Sequence, residues 1–136
     1  MKKIFLFIIL FNGVLLSNAL KAETVFYCQE EVVGGLFKEN DSWKSGQFKP
    51  NRHTIKFNNV YSKLFGLDER RPFNCAPAYQ HAPDVLACLS GYSNGESFIF
   101  NKTTKRFVFS KPSPSAGFDV NGSDTENIAG GTCVKF

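Results

Sequence analysis

The residues with the richest chemistry lie close together, in the stretch RPFNCAPAYQHAPDVLACLSG over 71–91. Cys75, His81, Asp84 and Cys88 fall within fourteen positions. Thiolates, imidazoles and carboxylates bind metals, and a thiol beside an imidazole forms a nucleophile with its base. A disulfide-closed loop, with His81 and Asp84 as neighbours, would use the same residues. The three alternatives differ in the spacing and the compartment that they require.

Spacing and compartment favour the disulfide. A zinc site would read C-x5-H-x2-D-x3-C, whereas structural zinc usually takes two ligands from one tight turn. A nucleophilic Cys75 or Cys88 needs a free thiolate, which an oxidising compartment removes. We therefore predict no metal site and no catalytic residue. A small hydrolase that uses His81 and Asp84 is the enzymatic alternative.

The N-terminus indicates the compartment. A basic start, MKK, precedes the apolar run IFLFIILFNGVLL and the small residues of SNALKA, an order typical of a bacterial secretory signal. Cleavage after Ala19 or Ala22 would fit, and the apolar run is shorter than the roughly 20 residues of a spanning helix. An uncleaved anchor is the alternative. We predict a signal peptide over 1–22 and a single exported domain over 23–136, periplasmic or extracellular, without stable membrane insertion after cleavage.

Charge and motifs exclude other classes of function. The chain has 16 Lys and Arg against 12 Asp and Glu, but Lys2, Lys3 and Lys21 leave with the signal, so 13 basic residues remain against 12 acidic ones. The basic balance is therefore no argument for nucleic acid as a partner. The phosphate-loop, metalloprotease and dinucleotide motifs are absent from the sequence. We predict no nucleic-acid partner and no cofactor.

The four cysteines of the predicted domain indicate a disulfide framework. The sequence leaves three pairings open. Because the termini of compact domains are often close, Cys28 and Cys133 are the favoured pair, which leaves Cys75 with Cys88. In the chain-entropy model the long loop is worth about 4 to 5 kcal/mol and the short loop roughly 3 kcal/mol.

The clearest strand signal is ESFIFNKTTKRFVFS over 96–110. Phenylalanines alternate on both arms around the polar NKTTK, which predicts a β-hairpin with cross-strand pairs between Phe98 or Phe100 and Phe107 or Phe109. Four basic residues surround it: Lys102, Lys105, Arg106 and Lys111. We interpret them as a solvated edge, with the binding of an acidic polymer as the alternative.

Other segments are less regular. Residues 23–40 begin as an alternating strand, with Phe26, Cys28, Glu30 and Val32 on one face, and Gly34-Gly35 predicts an interruption. Residues 53–59 alternate as in a strand, which places His53 on the same face as the apolar residues Ile55 and Phe57.

The remaining chain predicts one helix and one long loop. NNVYSKLFGLDERR over 58–71 predicts a short helix capped by Asn59. Residues 110–131 predict an irregular connection, with a bend at Gly130-Gly131 before a terminal strand that contains Cys133.

These patterns predict an all-β fold: a small antiparallel barrel or sandwich with at most one short helix and two disulfides. Of 15 phenylalanines, Phe5, Phe7 and Phe11 belong to the predicted signal, which leaves twelve in the domain. Because most lie at alternating strand positions, we interpret them as core, with a ligand cavity as the alternative.

Several motifs carry a resemblance. They are the F-Y-C strand at 26–28, Trp43, the central cysteine pair, the S-F-x-F-N hairpin and the terminal G-T-C-x-K-F. In these the chain resembles small exported bacterial proteins of unknown function, which implies an exported bacterial domain and no activity. Size, compartment and cysteine use are also similar to those of the small β-barrel lysozyme inhibitors.

These observations favour a non-enzymatic binding module for an unknown protein or a small apolar ligand. Tyr and Trp combine an apolar body with a polar end and are enriched at binding surfaces. The candidate binding residues are therefore Trp43, Tyr61, Tyr79 and Tyr92. An envelope enzyme inhibitor of the lysozyme-inhibitor kind is the alternative besides the small hydrolase.

Overall fold

A computed structural model describes residues 23–40, 42–92, 95–112 and 125–136. The predicted signal peptide and the middle of the predicted loop over 110–131 lie outside the described residues. The described part has nine strands and no helix: β1 (Thr24–Glu39), β2 (Ser42–Gln47), β3 (Arg52–Phe57), β4 (Lys63–Phe65), β5 (Phe73–Tyr79), β6 (Ala82–Leu89), β7 (Ser97–Asn101), β8 (Arg106–Lys111) and β9 (Thr125–Lys135). Within these ranges no helix is long and apolar enough to cross a membrane.

All strand pairs are antiparallel, and the sheet closes on itself. The order is β1-β3-β4-β5-β6-β7-β8-β9, and β9 returns to pair with β1 from Phe26 opposite Lys135 to Phe37 opposite Thr125. β3 pairs with the first half of β1 and β2 with the second half, so the two short strands share one edge. The predicted all-β class is confirmed, in its ring-like, barrel alternative.

Aromatic side chains fill the inside of this ring. The largest fully buried side chains include six phenylalanines: Phe26, Phe57, Phe73, Phe98, Phe100 and Phe109. Phe98 stacks on Phe107 with ring centres 5.1 Å apart, as the predicted hairpin requires. Burial of each phenylalanine contributes about 1.5–3 kcal/mol, so these rings dominate the core.

Both disulfides join residues that lie directly opposite each other on neighbouring strands. Cys28–Cys133 links β1 to β9 across 105 residues, and Cys75–Cys88 links β5 to β6 across 13. The favoured pairing is confirmed. Two such bonds indicate an oxidising environment.

The predicted helix over 58–71 is wrong. Asn58, not Asn59, organises this segment: its Oδ1 accepts hydrogen bonds from the backbone N–H groups of Ser62 and Lys63, which closes a tight turn. Tyr61 has a positive φ of 56° within the turn, and β4 follows with only Leu64 buried. An asparagine side chain that bonds to the local backbone competes with helix formation.

Two predicted interruptions are also wrong. β1 continues through Gly34-Gly35, and its irregularity lies between Glu30 and Val32, where the register against β9 shifts. The shift turns Val33 inward, in place of Val32. Gly130-Gly131 lies inside β9 and forms no bend, because β9 begins at Thr125.

Candidate functional site

The structure separates the four residues of the chemically rich stretch. The sulfurs of Cys75 and Cys88 are bonded to each other, which leaves no thiolate for zinc or for nucleophilic attack. His81 lies in the exposed turn between β5 and β6 and packs against Tyr79, with ring centres 5.6 Å apart. No hydrogen bond or ion pair within the described ranges joins it to Asp84.

Asp84 is engaged elsewhere. Its Oδ2 accepts a hydrogen bond from the Thr103 hydroxyl at 3.1 Å, and its Oδ1 lies 3.5 Å from the Lys102 ammonium. These contacts tie β6 to the turn between β7 and β8. Among the residues that the structure describes, no carboxylate orients the His81 ring as the acid of a catalytic triad orients its histidine.

The four predicted binding aromatics do not form one site. Trp43 is 43% exposed on β2, and Tyr92 follows β6, so the strand register puts both at the same end of the ring. Tyr61 lies at the opposite end, where it covers the buried Phe57 with ring centres 5.0 Å apart. Tyr79 is exposed at that second end. Any shared partner would have to contact opposite ends of the molecule.

Most side chains of the basic cluster around the hairpin contact groups of their own chain. Lys102 forms its ion pair, Lys105 donates to a backbone carbonyl, and the Lys111 ammonium lies 4.7 Å from the ring centre of Phe109. The Arg106 guanidinium has no hydrogen-bond, ion-pair or ring partner among the described residues. Within the described ranges, Arg106 is therefore the member of the cluster whose charged group has no contact with its own chain.

Arg106 borders a hollow on the outside of the ring, of about 520 Å³. Its apolar lining includes Val85, Ile99 and Val108 from three successive strands. Glu31 stands across from Arg106, on the far side of β9, and accepts a hydrogen bond from the Thr132 hydroxyl at 2.8 Å. The hollow thus combines an apolar floor with one cation and one anion.

Exposed apolar residues continue from this hollow across β9. Val108, Gly130 and Val32 form one cross-strand row, in which Val108 is 46% exposed and Val32 65% exposed. One pleat further along β9, Ile128 is 58% exposed. We call this surface the Gly130 face, defined by Glu31, Val32, Arg106, Val108, Ile128 and Gly130.

A second unusual group lies inside the ring. Glu30 is the buried charged side chain of the described ranges, only 4% exposed. Its Oε2 accepts a hydrogen bond from the backbone N–H of Asn51 at 2.6 Å, and its Oε1 lies 2.8 Å from Nε2 of His53. Asn51 lies between β2 and β3, so Glu30 supplies an acceptor where the ladder along β1 is interrupted.

The role of this pair is structural. His53 lies on the same inward face as Ile55 and Phe57, as predicted, and its ring meets Phe109 edge to face at 5.7 Å. Sequence reasoning missed the pair because Glu30 and His53 are 23 residues apart and only the β1–β3 register brings them together. The alternating pattern, which puts both residues inward, was the available signal.

No family model, curated protein or solved structure matches the chain. The described ranges also contain no cluster of three His, Cys, Asp or Glu residues that could hold a metal ion. The geometry alone therefore has to support a function, and its most distinctive outward feature is the Gly130 face.

Proposed function

We propose that the chain is an exported, non-enzymatic binding domain that recognises a protein partner through the Gly130 face. The observation that carries this proposal is a pair of exposed valines on the two sides of Gly130, beside a guanidinium without a partner in the described structure. Contiguous apolar surface with polar groups at its rim is characteristic of interaction sites. Strand pairing holds the backbone beneath these side chains in place, so little backbone ordering opposes binding.

A protein partner suits this geometry better than a small apolar ligand. An eight-stranded ring has room for side chains or for one small ligand. Phe26 packs against Phe57 and Phe100 with ring centres 6.1 and 5.1 Å apart, so aromatic side chains already occupy the inside. The hollow at Arg106 lies on the outside, where an opposing protein surface can reach it.

Export is the other part of the proposal. It is supported by the signal-like order of residues 1–22, by the two disulfides and by the resemblance to small exported bacterial proteins. Mass spectrometry of the protein released from the envelope would test it. We expect a chain that begins at Leu20 or Glu23 and gains four hydrogens on reduction. A full-length intracellular chain with free thiols would contradict export.

Site-specific photo-crosslinking would test the binding surface. A photoreactive amino acid is placed at Val108 on the Gly130 face, and at Ala76 as the matched control on the outward side of β5. In producing cells we expect a discrete protein adduct from position 108 and none from position 76. Absence of an adduct at 108, or equal adducts at both positions, would contradict the proposal.

A further inference from the structure

We infer that the partner of the Gly130 face is the same face of a second copy of this chain. This inference rests on the proposed function, because it names the occupant of that surface. Three features of the face support it: an outward glycine with open space above it, charges of opposite sign on the two sides of β9, and exposed valines at matching positions.

Gly130 has room for a side chain within the described structure, although it lies opposite Val32, next to the register shift in β1. A Cβ built at this position meets no atom within 4 Å. Among the described glycines a positive φ occurs at Gly66 and Gly95, so the backbone of Gly130 suits other residues as well. Its neighbour Gly131 differs, since a Cβ there would lie 2.0 Å from the Gln29 carbonyl oxygen.

A glycine within a strand is unfavourable by roughly 0.5–1 kcal/mol relative to alanine. An outward glycine with open space above it permits close approach by another backbone. The outside of a closed sheet curves away on both sides, so a second such surface touches first along a single strand. Gly130 removes the side chain at that line of contact.

The charge pattern of the Gly130 face is self-complementary. Arg106 of β8 lies opposite Thr132 of β9, and Glu31 of β1 bonds to the same Thr132 from the other side. A two-fold axis parallel to β9 exchanges the two sides. It therefore places Arg106 over the partner's Glu31, and Glu31 over the partner's Arg106.

The same rotation pairs the apolar residues. Val108 and Val32 are level with Gly130 on its two sides, so Val108 lies over the partner's Val32 and the reverse contact forms at the same time. An interface of this type is isologous, because one patch meets itself. An unrelated partner would need to be complementary to this face, but the face would not need to be complementary to itself. Such a partner would therefore not explain why Arg106 and Glu31 lie at corresponding places on the two sides of β9.

Sedimentation of the oxidised mature protein over a range of concentrations tests the inference. We expect a dimer that dissociates on dilution. Gly130→Val should keep or raise the unfolding midpoint of the monomer, since the space is open and glycine is unfavourable in a strand, yet weaken dimerisation about tenfold or more by holding the faces apart. Ala76→Val, an outward substitution on β5, is the matched control and should dimerise like the parent chain.

Charge reversal provides a second test. Arg106→Glu and Glu31→Arg each place like charges face to face, and each should weaken dimerisation by about tenfold to a hundredfold. An equimolar mixture of the two variants pairs unlike charges again and should recover the dimer. Arg70→Glu and Glu69→Arg, on the exposed loop before β5, are the matched controls and should leave dimerisation unchanged.

The outcomes separate this inference from the proposed function. A parent chain that stays monomeric at every concentration, or variants whose mixture does not reassociate, would overturn the second copy as partner. If crosslinking from Val108 then yields an adduct with a different protein, the proposed binding function stands with another occupant. If position 108 yields no adduct at all, both proposals fail.

Discussion

Glu30 places a carboxylate inside an aromatic core, and both of its oxygens have a partner there. One accepts the backbone N–H of Asn51 and the other contacts His53. Burial of an unpaired carboxylate is strongly unfavourable, so the pairing is what makes this position tolerable. The group connects three segments, since β1, β3 and the link from β2 meet at it.

Removal of this carboxylate should destabilise the fold more than its loss of volume implies. Glu30→Ala leaves Asn51 and His53 without their partner in a buried place, and we expect a loss of about 2–4 kcal/mol in the free energy of unfolding. Glu30→Gln retains one acceptor and should lose about half as much. Urea denaturation measures both. The exposed Glu69→Ala is the control and should change stability by less than about 0.5 kcal/mol.

Equal stabilities of the Glu30 and Glu69 variants would show that the buried contacts contribute nothing.

The sequence could indicate only that Glu30 and His53 point inward, because alternation fixes the face of a strand residue. Their contact depends on how β1 and β3 align, and it joins residues that are 23 positions apart in the sequence. It also depends on the register shift at Glu30–Val32, and no local sequence pattern encodes either feature. The position of Gly130 inside a strand could not be predicted for a similar reason. Two consecutive glycines suggest a bend as long as the strand pairing is unknown.

Among the elements, local pairing decided which predictions succeeded. The β7–β8 hairpin follows from its own fifteen residues, because each arm alternates and the polar turn lies between them; the observed pairs Phe98–Phe109 and Phe100–Phe107 agree. β4 was mistaken for a helix because it is three residues long, and its partners β3 and β5 lie elsewhere in the sequence. β1 continues through its glycines because β9 pairs with it on one edge and β2 on the other.

The two faces of the hairpin should differ sharply in their effect on stability. Phe100 is fully buried and stacks on Phe57 with ring centres 5.4 Å apart, so Phe100→Ala should lower the free energy of unfolding by about 3–5 kcal/mol. Ile99→Ala, the neighbour that points outward, should cost about 1 kcal/mol or less. Denaturant titration at concentrations below those of self-association measures both. Similar losses would contradict the assigned faces.

At the scale of the whole molecule, the first and last strands complete the ring. β9 pairs with β1 along almost its full length, so the first and last strands of the chain cover each other's free edges. Closure removes two exposed edges that would otherwise offer unpaired backbone groups to other chains. It also demands that distant parts of the chain meet, which is entropically unfavourable. The Cys28–Cys133 bond lies at this seam.

The two disulfides should therefore differ in their contributions. In the chain-entropy model a bond across 105 residues is worth about 4 to 5 kcal/mol, and one across 13 residues roughly 3 kcal/mol. We expect the double variant Cys28→Ala/Cys133→Ala to lose about 1–2 kcal/mol more stability than Cys75→Ala/Cys88→Ala, as measured by urea denaturation. The second pair is the matched control, because each pair bridges directly opposed strand residues.

Hydrogen exchange distinguishes this entropic account from a local effect of the missing sulfurs. Without the seam disulfide, the amides that join β1 to β9 should exchange faster along the whole seam, because the ends of the chain are no longer linked when the ring opens. Without the Cys75–Cys88 bond, faster exchange should stay near β5 and β6, since their short connection keeps the two strands together. A smaller loss from the seam pair, or faster exchange confined to residues beside Cys28 and Cys133, would mean that the ring is held closed by its phenylalanine core rather than by the link between its ends.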